Sequence, residues 1–205
     1  MISIIDYGLG NILAFVNIYK RLNIPVSVVT TPEQLLHAKK IVLPGVGSFD
    51  WAMSRLNQSG LREVLDTLVL QKQIPVIGVC VGMQMMANRS DEGGLEGLGW
   101  IDADVKRFDV TGFAQVAHLP HMGWNDVVPV IVSPLFDGLE YDARFYFLHS
   151  YYFAHKEEEH VLAQTDYSGL FTSAAHRGNV YGVQFHPEKS HHWGVCLLKN
   201  FAKLS

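Results

Sequence analysis

The spacing of hydrophobic positions changes part-way along the chain. Up to about residue 88, short apolar runs alternate with stretches whose apolar residues recur every three or four positions. The runs at 2–6, 25–29 and 40–43, and the one entering Cys80 from residue 74, read as buried strands, rich in Ile and Val. Between them, 11–22 reads as a helix with Ile12, Phe15, Val16, Tyr19 and Leu22 along one side. Thr31 caps a short helix with Pro32 in its first position, and helical patterns occupy 50–57 and 61–70. Strands alternating with helices predict an α/β fold with a doubly wound, mainly parallel sheet. Ligands of such sheets sit beyond the carboxyl ends of the strands. After Asn88 the texture changes: 91–99 is a glycine-rich loop, and 127–132, 145–148, 161–164 and 180–184 are short strand-like runs. These predict antiparallel additions in the C-terminal half. A closing amphipathic helix covers 192–204. With no repeat, linker or low-complexity segment, one domain over 1–205 is expected.

Composition narrows the class. Of 205 residues 48% are hydrophobic and 18% charged, which is the composition of a globular chain. A net charge of −4 gives no electrostatic footprint for nucleic acid or an anionic membrane, and no apolar run is long enough to span one. The first residues, Met1-Ile2-Ser3-Ile4-Ile5-Asp6, have no basic region, so no secretory signal is expected. The two cysteines, Cys80 and Cys196, make no disulfide framework and fit a reducing cytoplasm. Cys196 reads as core in the last helix, with Trp193, Leu197 and Phe201 on its stripe.

The chemistry concentrates at Gly78-Val79-Cys80-Val81-Gly82, where strand becomes helix. This is G-x-C-x-G, the cysteine form of a nucleophile elbow. The sharp turn strains the backbone of Cys80, and glycines two residues either side leave room for it. A helix start there favours a thiolate, and the Val81 N–H is placed to donate to an oxyanion. A buried structural cysteine fits the same residues. His186-Pro187-Glu188 ends a later strand, and the two-residue spacing returns Glu188 to the side of His186. A histidine with a carboxylate behind it is what a cysteine nucleophile needs as base and orienting acid. A solvated histidine at a strand end is the alternative. The turn Pro44-Gly45-Val46-Gly47 can aim an N–H at an oxyanion, or serve as an ordinary strand-to-helix turn.

Two cofactor readings fail. Asp6-Tyr7-Gly8-Leu9-Gly10-Asn11 has two glycines of a dinucleotide motif, but Leu13 stands where the third is needed and Thr30 where an acid should meet the ribose. His191 and His192 near His186 suggest a metal, yet vicinal histidines rarely chelate one ion and no second ligand cluster completes a set. Neither cofactor nor metal is expected.

Together these motifs resemble the class I (triad-type) glutamine amidotransferases. Pro120-His121-Met122-Gly123-Trp124-Asn125 and Phe147-Leu148-His149-Ser150-Tyr151 extend the match. Within that family the chain looks most like the glutaminase subunits of imidazole glycerol phosphate synthase. The resemblance implies that Cys80 is the nucleophile, His186 the base and Glu188 the acid, with Val46 and Val81 forming the oxyanion hole. It implies glutamine contacts from Gly47, Gln84, Glu92, His149, Ser150 and Tyr151; Glu92 is placed by its position in the glycine-rich loop. It further implies that Asn11, Trp124, Tyr146 and Lys189 face a (βα)₈-barrel synthase subunit receiving ammonia for histidine biosynthesis. Two departures stand out: Val81 where leucine is usual, and Ala117-His118-Leu119 where the family often has a basic residue. The second bears on the partner, because some relatives feed a barrel that makes amidino sugars. A non-catalytic regulatory subunit is opposed by the intact Cys80, His186 and Glu188.

Overall fold

A computed structural model describes residues 1–109, 118–167 and 169–204. Ala117 therefore lies outside the described residues. In chain order the elements are β1 (Ile2–Ile5), α1 (Ile12–Arg21), β2 (Val26–Val29), α2 (Pro32–Leu35), β3 (Ile41–Gly45), α3 (Phe49–Gln58), α4 (Arg62–Asp66), β4 (Val76–Cys80) and α5 (Val81–Gln84). There follow β5 (Arg89–Ser90), β6 (Ala103–Arg107), β7 (His121–Asp126), β8 (Val128–Pro129), β9 (Arg144–His149), β10 (Tyr151–His155), β11 (Val161–Asp166), β12 (Leu170–Arg177), β13 (Val180–Val183) and α6 (His191–Lys203).

The main sheet runs β2-β1-β3-β4-β13-β12-β10-β6-β5, with β11 added beside β12 and β8 beside β11. The five strands from β2 to β13 are parallel, and antiparallel pairing begins between β13 and β12. The expected mainly parallel sheet with antiparallel additions is the one observed. Strands β3 and β4 are buried along their whole length, as two-sided burial requires of continuous apolar runs. Helix α1 packs against α6, and α2 against α4, so helices flank the sheet.

Several elements differ from expectation. The helix read over 61–70 ends at Asp66 and continues as a π turn, Thr67–Gln71. The strand read over 127–132 pairs only at Val128–Pro129, after which the chain runs to a 3₁₀ turn at Pro134–Phe136. The helix after Cys80 is four residues long. Its continuation is pre-empted: the carbonyls of Met85, Met86, Ala87 and Asn88 accept from the N–H groups of Leu98, Trp100, Gly99 and Gly97. The glycine-rich loop thus takes the acceptors that a longer helix would use. Cys196 is half-buried rather than core, with Sγ 3.6 Å from the Asp137 carbonyl. Strands β7 and β9 form a separate two-stranded sheet.

Candidate active site

Three parallel strands end together. Gly45 of β3 is paired with Cys80 of β4, and on the other side Val183 of β13 is paired with Val79. The last strand of the fold thus inserts beside β4 and brings His186 to Cys80 across more than a hundred residues of chain.

Cys80 has φ +56° and ψ −114°, a conformation an L-residue adopts only under strain. The elbow glycines are required by contact. A Cβ on Gly78 would lie 2.6 Å from the Gly82 carbonyl oxygen, and one on Gly82 would lie 2.0 Å from that of Leu43. The second clash is with β3, not with the turn itself. Because α5 is so short, its dipole adds little at the sulfur. The charge that matters is on His186. Its Nδ1 is 2.9 Å from Glu188 Oε1, and both side chains are buried. Burial opposes the imidazolium, but hydrogen bonding with Cys80 and Glu188 and their negative charge outweigh it, raising His186 to about 10. Glu188 Oε2 is buried without a partner among the described residues.

A cleft of about 310 Å³ opens over this group. Cys80, His186, Val46, Val81, Gly47, Gln84, Glu92, His149, Ser150 and Tyr151 all line it, with Glu188 behind His186. Lys189 lines it too, as do Pro120 and Leu148, which the sequence reading had left without a role. Gly47 has φ +87°, the left-handed region that favours glycine. The Glu92 carboxylate accepts from Phe49 N–H at 2.8 Å, capping α3 and closing the glycine-rich loop onto it. Asp50 completes that latch by accepting from Gly94 and Leu95. Tyr7 donates its hydroxyl to the Pro44 carbonyl at 2.7 Å, two residues beyond the last β1–β3 pair. The tyrosine of the first motif thereby steadies the strand that leads into the Val46 turn.

A second buried network backs the cleft. Tyr151 O can only accept, so His149 carries its proton on Nδ1, 2.8 Å away. Burial pushes His149 down to about 3 and His121 to about 4, so both rings are neutral. His149 Nε2 then accepts from His121 Nδ1 at 3.0 Å, and His121 Nε2 accepts from Asn125 Nδ2 at 3.3 Å. This fixes a stability prediction. A histidine neutral in the fold at about 3, against about 6.5 unfolded, favours folding above pH 6.5 and loses that advantage as pH falls towards 3. His149 alone gives a slope of about 1.4 kcal/mol per pH unit below 6.5. His186, raised to about 10, has the opposite sign: its contribution is complete below pH 6.5 and is lost between there and 10. Urea midpoints should therefore fall on both sides of a maximum near pH 6.5, with a clear drop by pH 5. A midpoint unchanged between pH 7 and 5 contradicts the neutral pair.

The residues expected at a partner face divide. In the β7–β9 pair Trp124 stands opposite Tyr146, and Met122 opposite Leu148. These four point to the open face, while His121, Phe145, Phe147 and His149 fill the other. Trp124 stacks on His191 and contacts Trp193, and Lys189 Nζ lies 5.7 Å from the centre of the Tyr146 ring. Asn11 is exposed at the start of α1, outside this aromatic group. The open face is tied to the base: His186 N–H donates to Tyr146 O at 2.8 Å. Among the described residues one group has metal-ligand spacing, Glu157, Glu159 and His160, and none of these lines the cleft.

The model for glutamine amidotransferase class-I matches residues 3–203. The chain belongs to the class I glutamine amidotransferases. Among curated relatives, the imidazole glycerol phosphate synthase subunit HisH of Bdellovibrio bacteriovorus is 58% identical over the full length of both chains. The HisH subunit of Leptospira interrogans is 51% identical, again over all of both. Among solved structures, a glutamine amidotransferase superposes with a TM-score of 0.75 at 19% identity, covering 99% of each chain. A glutamine amidotransferase from Thermotoga maritima gives 0.63 at 20% identity, covering 91% of this chain and 75% of its own. These structural likenesses establish the amidotransferase fold. No helix among the described residues is long and apolar enough to cross a membrane.

Proposed function

We infer that the chain is the glutaminase subunit of an imidazole glycerol phosphate synthase, acting in histidine biosynthesis. It is read as one cytoplasmic amidotransferase domain over 1–205, binding neither nucleic acid nor membrane. The observation that carries the reading is the cleft that holds Cys80 and His186 together, with Glu188 on the far ring nitrogen. Full-length identity to the HisH subunits favours the histidine pathway over amidino-sugar synthesis.

Cys80 gives its proton to His186 and attacks the side-chain amide carbon of glutamine. The oxyanion is met by the N–H groups of Val46 and Val81. His186 returns the proton to the leaving nitrogen, freeing ammonia and a γ-glutamyl thioester. Water, deprotonated by His186, then releases glutamate. Gly47, Gln84, Glu92 and the 149–151 segment hold the substrate.

The ammonia passes to a (βα)₈-barrel synthase subunit seated on the open face of β7 and β9. Trp124, Tyr146 and Lys189 lie on that face, and Asn11 is read as a separate contact of the same partner from the start of α1. Docking there acts on the base through the Tyr146–His186 backbone bond, and on the Val46–Gly47 peptide, whose rotation glycine makes cheap. An oxyanion donor is worth about 10²–10³ in rate. Glutamate release from the chain alone should therefore rise by roughly that factor when the barrel subunit is added together with its ligand. A chain already as active alone as in the complex contradicts the gating.

A further inference from the structure

Gln184 directly follows β13, and continuing the β4–β13 register by one residue sets it level with Cys80. The side chain is fully buried. Its Nε2 lies 3.8 Å from Cys80 Sγ, and its Oε1 lies 3.0 Å from Gln84 Nε2. Nothing in the triad chemistry above uses it.

Which end of this amide faces the sulfur is decided by its neighbours. The chain of decisions starts from a group that cannot be reversed, the Tyr151 carbonyl, which only accepts. Gln84 Nε2 donates one hydrogen to it at 3.1 Å and the other to Gln184 Oε1. A reversed Gln84 would set its own carbonyl oxygen against two others. A reversed Gln184 would set its NH₂ against that of Gln84 and its carbonyl oxygen against the sulfur. His149, also bound to Tyr151 O, holds that carbonyl in place. Each amide is thus locked by the one before it, and the group presented to Cys80 is an N–H.

We propose that Gln184 is a further residue of the glutaminase reaction, donating to the Cys80 sulfur and favouring its thiolate, with its orientation set by the Tyr151 carbonyl through Gln84. This rests on the reading of Cys80 as nucleophile. The protonated thiol has another partner, the Leu148 carbonyl, 4.0 Å from Sγ. Once the proton moves to His186, that carbonyl has nothing to accept. The Gln184 N–H then gains strength, because a donor to an anion binds more tightly than one to a neutral sulfur. Gln84 joins the glutamine cleft to this donor, so a substrate that shifts Gln84 is felt at the nucleophile.

The test follows alkylation of Cys80 by iodoacetamide against pH, read on the Cys80 peptide by mass so that Cys196 is counted separately. Wild type, Gln184→Met and Gln184→Glu are compared as full chains, with glutamate release measured on the same preparations together with the barrel subunit. The other ionisable groups around the sulfur, His186, Glu188, Tyr7 and His149, with Glu92 and Lys189 in the cleft, are the same in all three. In Gln184→Met, which keeps the volume and cannot donate, the alkylation inflection should rise by about one pH unit. The glutaminase kcat should fall by about tenfold with KM little changed. In Gln184→Glu, which sets a carboxylate oxygen beside the sulfur, the rise should be larger. A merely packed Gln184 would lower stability and leave the inflection where it was, and that result in a folded Gln184→Met overturns the proposal. If neither variant folds, Gln84→Met releases the lock and should raise the inflection by a smaller amount; no rise overturns it equally. A wild-type chain that alkylates at Cys80 but releases no glutamate overturns the glutaminase reading, and this proposal with it.

Discussion

Cys80→Gly should abolish glutamate release and yield a protein more stable than Cys80→Ala. Both variants lack the sulfur, and loss of a nucleophile that works with a base costs on the order of 10⁴–10⁶ in kcat. They differ in the backbone. Cys80 sits at φ +56° and ψ −114°, held there by the strand β4 behind it and by contacts of Gly78 and Gly82 that leave no room to relax. Alanine keeps that strain and glycine relieves it, by an amount on the order of 1 kcal/mol. Activity and urea denaturation on the same pair of variants check both halves. Equal stability of the two would mean that the elbow is not strained. Turnover in either variant within about tenfold of wild type would mean that the sulfur is not the nucleophile.

His186→Ala and Glu188→Gln, by contrast, should separate. The base moves a proton twice in each cycle, whereas the acid orients the ring and stabilises its cation. His186→Ala should be nearly inert, and Glu188→Gln should keep on the order of 10²-fold more activity. The geometry supports the asymmetry. A glutamine at 188 can still accept from His186 Nδ1 at the 2.9 Å contact, so the ring stays in place. What is lost is the negative charge that helps to raise His186, and the alkaline limb of its titration should move down accordingly. Equal, mild losses in the two variants contradict the triad.

The parallel half of the fold was legible because two-sided burial leaves a simple trace, runs of Ile and Val at β1, β3 and β4. The second half was less so. Strand β7, His121–Asp126, has no β-branched residue and carries a glycine, so apart from Trp124 its composition does not announce a strand. Its pairing with β9 alone makes it one. The run at 127–132 is rich in β-branched residues, but only Val128–Pro129 pairs as a strand, because propensity does not create a neighbouring strand. The short α5 was invisible because the loop at 97–101 takes its acceptors from far along the chain.

The site was more legible than the fold around it. Cys80, His186 and Glu188 announce themselves by residue type, although Glu188 reaches the ring from a 3₁₀ turn over Pro187–Lys189 and not along an extended chain, and every residue expected to touch glutamine lines one cleft. Gln184 was missed for a physical reason. In sequence it is one polar residue at a strand end, and only the parallel insertion of β13 beside β4 sets it against the sulfur. A signal was available in its place two residues before His186, the spacing that returns to the same side of an extended chain. Tyr7 and the His121–His149 pair were hidden likewise, since their partners are contributed by other strands.

The most direct test of the account is covalent capture. The chain, together with the proposed barrel subunit, is treated with a glutamine analogue that carries an electrophilic carbon at the amide position, then digested and weighed peptide by peptide. The account predicts one added mass, on the peptide holding Cys80, with loss of glutamate release in proportion to labelling and protection by glutamine. Labelling confined to Cys196, or activity that survives full modification of Cys80, would contradict it.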